Sequence, residues 1–166
     1  MSATRAKARQ RGLPPVLTPD ARVLILGSFP SEASLAARQY YAHPRNHFWP
    51  ILSAVLDEPL VELPYRERLE RVRARGVAIW DTIVACERMG SLDAAIRNAE
   101  QGEIARVRRV AKRLRAVAFN GGTAARAAPA WRHAGYDVLL MPSTSPAYTR
   151  PVAEKLAAWR ALARFL

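Results

Sequence analysis

The chain has 166 residues, half of them apolar, and sets 26 Lys and Arg against 14 Asp and Glu, a formal net charge of +12. That is the length of one domain with a sizeable core; no apolar run approaches the roughly 18 residues of a membrane span, and the N-terminus holds no apolar segment like a signal peptide. A single cysteine, Cys86, excludes a disulfide framework, a four-cysteine zinc site and a cysteine-held iron–sulfur cluster, and points to the reducing cytoplasm.

Residues 1–15 are small and basic and end in a Pro pair, which reads as a mobile tail; residues 16–166 read as one domain. The run at 22–27 (RVLILG) has the character of a fully buried strand ending at Gly27. A loop, Ser28 to Ser31, precedes a helix over 32–40 with Ser31 as its N-cap. The dense polar and aromatic stretch 40–49 then leads into an apolar helix over 48–56. Residues 64–75 carry Tyr65, Leu69 and Val72 on one helical side, and Gly76 ends that helix. A second strand is expected at 77–80 and a short helix, capped by Ser91, at 91–98. The basic segment 103–115 places Ile104, Val107, Val110, Ala111 and Leu114 in one stripe. It reads as a helix packed on a sheet with its basic face in solvent, not as a lipid-surface helix. A third strand (116–119), a helix opened by Asn120-Gly-Gly122 and running to 128, a fourth strand (136–141) and the 142–146 loop follow. The last helix, 151–166, starts at Pro151, a residue suited to a first turn. Strands alternating with helices give an α/β fold, a three-layer α/β/α sandwich around a mainly parallel sheet of about four strands. Ligands of such sheets bind outside the carboxyl ends of the strands, which singles out 27–31, 80–82, 120–122 and 142–148.

The positive charge favours a polyanion, nucleic acid first, although abundant Arg and Ala also follow from GC-rich coding. No dinucleotide fingerprint, P-loop, zincin or nucleophile-elbow motif is present. His43, His47 and His133 lack metal-ligand spacing, so no metal is expected. Asn46 suits two roles, an N-cap for the helix beginning beside it and an amide that holds a water while touching a substrate; the two are compatible. Of the adjacent Tyr40 and Tyr41, one can pack in the core while the other offers a flat face to a base. Ser143, Thr144 and Ser145, set between two prolines after a strand, suit either a phosphate cradle or a plain turn, with Tyr148 just beyond. Asp81, after the second strand, suits a base edge or a cap, and Asn120-Gly-Gly, at a strand end, suits the close approach of another backbone or a ligand or a tight turn capped by the Asn.

These segments, in this order, resemble the uracil-DNA glycosylase superfamily from about residue 22 to the end. Gly27-Ser-Phe-Pro-Ser31 is similar to its first motif. Tyr41-Ala-His-Pro-Arg-Asn-His-Phe-Trp49 is similar to a long run of the mismatch-specific branch, and Met141-Pro-Ser-Thr-Ser-Pro146 resembles the DNA-inserting loop. Together they most resemble the hypoxanthine-DNA (deoxyinosine) glycosylase branch. One departure stands out: Phe29 occupies the place where the mismatch-specific branch has a water-handling Asn, and Phe cannot orient water.

The resemblance implies a monofunctional enzyme that flips a deaminated base (hypoxanthine, with uracil and xanthine as further candidates) out of DNA and hydrolyses its glycosidic bond. Asn46 would place the water and Tyr41 would stack on the base. Ser28 and Phe29 through their backbone N–H groups, with Asp81 or Asn120, would address the base edge. Ser143, Thr144 and Ser145 would hold phosphates, and Ala147 or Tyr148 would fill the vacated stack. No cofactor, membrane or obligatory protein partner is implied, and a monomer in the cytoplasm (on the nucleoid, if bacterial) is expected. The rival readings are a uracil-preferring glycosylase, a non-catalytic damage-binding relative that has lost activity with Phe29, and an unrelated nucleotide-binding α/β protein.

Overall fold

The computed structural model describes residues 8–166. Its strands are β1 (Arg9–Arg11), β2 (Val23–Gly27), β3 (Val77–Asp81), β4 (Ile83–Glu87), β5 (Arg97–Gln101), β6 (Ala116–Asn120) and β7 (Asp137–Met141). Its α-helices are α1 (Glu32–Ala37), α2 (Phe48–Leu56), α3 (Tyr65–Ala74), α4 (Ile104–Val110), α5 (Gly122–Ala125), α6 (Ala128–His133) and α7 (Val152–Trp159). Four strands pair in parallel in the order β3-β2-β6-β7.

The period of two along a strand divides the core into two halves. Val23, Ile25, Val77, Ile79, Ala116 and Ala118 face α2, α3 and α7 through Phe48, Ile51, Leu52, Val72 and Trp159. Leu24, Leu26, Ala78, Trp80, Val117 and Phe119 face α4, α5 and α6 through Val107, Ala124, Ala128 and Trp131. Each large side chain buried there contributes about 1.5–3 kcal/mol relative to exposure. The expected three-layer α/β/α sandwich is therefore the observed one. The parallel register aligns the strand ends, with Gly27 opposite Asp81 and Asn120 opposite Met141, so one rim of the sheet collects the loops that follow them.

Three expectations need correction. The 91–98 segment is not a helix. A short 3₁₀ turn (Asp93–Ala95) leads into β5, which pairs antiparallel with β4. Every residue of β5 is exposed, so no apolar alternation marks it, and its cross-strand pairing with β4 leaves no local pattern. Ser91 caps nothing of its own, since its Oγ accepts from the Glu32 N–H at 2.9 Å. Of the segment read as a mobile tail, residues 1–7 lie outside the described residues, and the rest is built into the fold. β1 pairs with β4, Val16 bridges to Ile79, and the Tyr40 hydroxyl, in reach of both the Leu13 and Pro14 carbonyls, donates there at 2.9–3.2 Å. β1, β4 and β5 thus form a second, antiparallel sheet that the sequence reading lacked.

Several helix ends also move. α1 stops at Ala37 because Arg38 is left-handed (φ 54°). α4 ends at Val110. The helix opened by Asn120-Gly-Gly breaks into α5 and α6, and α7 tightens into a 3₁₀ segment, Arg160–Phe165. The Ser31 cap is as expected, with its Oγ accepting from the Ser34 N–H at 3.1 Å.

Candidate active site

All ten residues singled out from the sequence line one cavity of about 280 Å³ at the carboxyl ends of the parallel strands: Ser28, Phe29, Tyr41, Asn46, Asp81, Asn120, Ser143, Thr144, Ser145 and Tyr148. The volume is near the lower end of small-ligand sites, which run to ~300–1,000 Å³.

The first motif supplies the floor. Gly27 ends β2 where no side chain fits: a Cβ there would lie 2.5 Å from Asp81 Oδ1 and 2.9 Å from the Tyr41 hydroxyl. Tyr41 is held by its stack on Phe48 and by Asn120, and Asp81 is buried, so Gly27→Ala is expected to cost about 1–3 kcal/mol through overpacking. It should also lower single-turnover excision at least tenfold, roughly the effect of a small misplacement of reacting groups. Urea denaturation and a rate measurement check the two effects. Past Gly27, the backbone N–H groups of Ser28 and Phe29 donate to no acceptor among the described residues, while the Ser28 Oγ donates to Asp93 at 2.8 Å. Phe29 is buried against Ile83 and Cys86, so its side chain is a wall and not a water holder.

The second motif supplies a platform and an amide. Tyr40 is buried at 3% exposure, with its hydroxyl turned to the Leu13 and Pro14 carbonyls. Tyr41 is left-handed (φ 54°), a conformation costing an aromatic residue about 1–2 kcal/mol. The division of the pair thus comes from a strained turn, and such strain gathers at functional sites. One face of the Tyr41 ring stacks on Phe48, with centroids 3.8 Å apart and planes 19° apart. Asn46 Oδ1 accepts from the Phe48 N–H at 2.9 Å. His47, not Asn46, stands at the N-cap position and makes no side-chain capping bond, so Asn46 holds the first helical N–H from one residue earlier; that bond clamps the amide against the cavity while the oxygen keeps a second lone pair.

Asp81, at the end of β3, is 5% exposed, and its buried Oδ2 meets no hydrogen-bond donor among the described residues. Burial above all, with the negative Asp93 adding to it, pushes its carboxyl up to about 7 against the pull of Arg88. Burial and Asp81 also push the Tyr41 hydroxyl well up, so it stays neutral.

Asn120 is a strut. Its Nδ2 donates to Thr144 Oγ1 (2.9 Å) and to the Tyr41 hydroxyl (3.3 Å), and its Oδ1 accepts from the Thr144 N–H (2.9 Å). One oxygen lone pair remains for a ligand. The 143–145 loop is stiffened further by the Ser143 Oγ, which accepts from the Ser145 N–H (3.1 Å), and by the His47 N–H, which donates to the Thr144 carbonyl (2.9 Å). Beneath it sit two residues that no motif pointed to. The Lys155 ammonium, wholly buried, donates to the Ser145 carbonyl and to His47 Nδ1, both at 3.3 Å, and burial lowers its pKa. Trp159 Nε1 donates to the Pro142 carbonyl at 3.0 Å. Ser34, Leu92 and Asp93 also line the cavity. The last two lie in the segment misread as a helix, which is why they were missed.

A family model, the uracil DNA glycosylase superfamily, matches residues 14–163. A hypoxanthine DNA glycosylase of Methanosarcina barkeri is 32% identical over 151 residues, 91% of this chain and 96% of that one. A hypoxanthine DNA glycosylase of Methanosarcina acetivorans is 33% identical over 155 residues, 93% of this chain and 98% of that one. A solution NMR structure of a uracil DNA glycosylase candidate from Methanosarcina acetivorans superposes with a TM-score of 0.82 at 32% identity, covering 93% of this chain and 99% of that one. The fold, the strand-end cavity and a match across most of the length agree, and the chain belongs to the uracil DNA glycosylase superfamily.

Proposed function

We propose that this protein is a monofunctional DNA glycosylase that extrudes a deaminated base, hypoxanthine by preference, and hydrolyses its N-glycosidic bond to leave an abasic site. The observation that carries the reading is the meeting of a stacking ring (Tyr41), a clamped amide (Asn46), a buried carboxyl (Asp81) and two backbone N–H groups (Ser28, Phe29) without an acceptor among the described residues, in one strand-end cavity. The preference for hypoxanthine is carried over from the names of the two Methanosarcina relatives.

The chemistry assigns the parts. A water oxygen bonds to the anomeric carbon as the carbon–nitrogen bond breaks. The bonding pair leaves with the base, and the water's proton goes to the departing base or to solvent. Positive charge builds on the sugar and negative charge on the base. Asn46 holds the water through its free lone pair. The Ser28 and Phe29 N–H groups face the charge on the base, where losing one such donor typically costs about 2.7–4 kcal/mol. Tyr41 offers its second face to the base, worth roughly 1–3 kcal/mol per stacked base. Asp81, and the remaining lone pair of Asn120, meet the base edge. Ser143, Thr144 and Ser145 hold flanking phosphates, and Tyr148 with Ala147 enters the vacated stack. The ammonium of Lys155 is buried under the loop and engaged by His47 and Ser145, which argues against a Schiff base with the opened sugar. The enzyme acts as a monomer, in the cytoplasm, with no cofactor needed for hydrolysis.

Single-turnover excision from duplexes carrying hypoxanthine, uracil or xanthine tests this, with strand scission read before and after alkali. Fastest release of hypoxanthine, with scission only after alkali, is the expected result. Release of uracil alone would move the preference to the mismatch-type branch. No release from any duplex, with salt-sensitive binding retained, would make the chain a damage-binding relative and Phe29 the mark of a lost site.

A further inference from the structure

The turn between β4 and β5 divides its residues into two sets. Arg88, Ser91 and Asp93 tie it to the first-motif loop. Arg88, 4% exposed, donates from Nη2 to the Pro30 carbonyl at 2.5 Å and lays its guanidinium 5.0 Å over the Phe29 ring. Ser91 accepts from the Glu32 N–H, and Asp93 accepts from the Ser28 hydroxyl. Between these anchors, Met89 and Leu92 are 67% and 63% exposed, more than any other large hydrophobic among the described residues. Leu92 lines the same cavity as Ala147 and Tyr148.

Two bulky apolar side chains held in water on an anchored turn, beside the mouth of a binding cavity, mark a contact surface. The anchors prepay the ordering that binding would otherwise cost. Leu and Met are among the apolar side chains that proteins insert between base steps, and extruding a nucleotide leaves a gap in the stack that water fills poorly. The surface is continuous with the cavity proposed to take the extruded base, and the chain's +12 charge suits a polyanion. We infer that the 88–93 turn is a wedge distinct from the 143–148 loop, with Leu92 leading and Met89 supporting. It inserts into the base stack of duplex DNA next to the extruded nucleotide. This inference rests on the glycosylase reading.

The test is Met89→Ser/Leu92→Ser, a pair of exposed substitutions that leaves the core untouched. A duplex with 2-aminopurine beside a 2′-fluoro hypoxanthine nucleotide, whose glycosidic bond resists hydrolysis, reports unstacking by fluorescence at saturating protein without bond cleavage. The double variant is expected to lose at least two thirds of the wild-type enhancement. Its ratio of duplex to single-strand single-turnover excision should fall roughly tenfold, on the scale of one apolar side chain's burial. Unchanged fluorescence, or equal rate losses on duplex and single strand, would overturn the wedge. So would a wild-type dimer that the double variant dissociates, because the turn would then be covering a second copy. If wild type excises nothing from either strand form, the glycosylase reading fails, and the fluorescence comparison still decides whether the turn enters the stack.

Discussion

Asn46→Ala is expected to lower single-turnover excision by about 10²–10⁴-fold, the range for removing a group that manages a proton or water in the transition state, while duplex affinity changes little. Loss of rate alone would not separate chemistry from structure, because the same side chain holds the start of α2 by accepting from the Phe48 N–H. Removing such a helix-end bond costs roughly 0.5–2 kcal/mol. It would also free the segment on which Tyr41 and Phe48 stack. Asn46→Ser divides the two roles. Ser makes the same bond to the N–H two residues on, if more weakly, but its hydroxyl sits on a shorter stem and cannot span from that N–H to a water. The serine variant is therefore expected to recover most of the stability in urea denaturation and almost none of the rate. Recovery of both, or excision by the alanine variant at the wild-type rate, would remove Asn46 from the chemistry. The water would then have to be held elsewhere on the cavity wall. Phe29 is not available for it, being a buried hydrocarbon packed on Ile83 and Cys86.

The parallel sheet was legible because each of its strands leaves a local trace. β2 and β3 are buried at every residue and read as unbroken apolar runs, and the polar residues that follow them fall at the carboxyl ends by the geometry of the fold. That rule placed eight of the ten candidate residues at one rim, where the cavity is; Tyr41 and Asn46 were found instead from the polar and aromatic stretch 40–49. The second sheet left no such trace. β5 is exposed throughout, and β1 is three residues long. Their pairing with β4 is a long-range event that no local pattern encodes. The turn carrying Leu92 and Asp93 went unseen for the same reason. Lys155 was also out of reach. On an amphipathic helix a lysine is expected in solvent, and only the fold shows it buried beneath the Ser145 carbonyl. Asn120 illustrates a third limit: a strand-end amide is easily noticed, but that it spends three hydrogen bonds on Thr144 and Tyr41 is a property of the assembled loops.

Asp81→Asn is expected to stabilise the protein above neutral pH and not in acid. The folded-state carboxyl titrates at about 7 against an ordinary 3.8, chiefly because it is buried. The folded protein therefore holds a proton that the unfolded chain has released, and stability falls as pH rises from 3.8 to about 7. The full penalty, on the order of 4 kcal/mol at 1.36 kcal/mol per unit, is reached above that range. Asn has the same shape and never ionises. At pH 4 the two proteins should unfold at nearly the same urea concentration, and at pH 8 the variant should be the more stable by a few kcal/mol. A variant advantage that is the same at both pH values would mean that packing, not charge, sets the difference.

Excision should follow the same titration if Asp81 meets the base edge. A neutral carboxyl offers one donor and one acceptor, matching the carbonyl and N–H that hypoxanthine, uracil and xanthine share. A carboxylate offers acceptors only and turns one of them against the carbonyl oxygen. Wild-type single-turnover rates are thus expected to fall, relative to those of the Asp81→Asn variant, as pH rises through 7, since the amide keeps both a donor and an acceptor. Rates that stay in constant ratio from pH 6 to 8 would leave Asp81 as a buried acid under Tyr41 with no part in reading the base. The neighbours fix where the titration sits. Asp93 holds the value up and Arg88 draws it down, so Asp93→Asn should move the midpoint of both the stability and the rate curves to lower pH. The direction follows from removing a negative charge, and it ties the acid in the cavity floor to the same turn that presents Leu92.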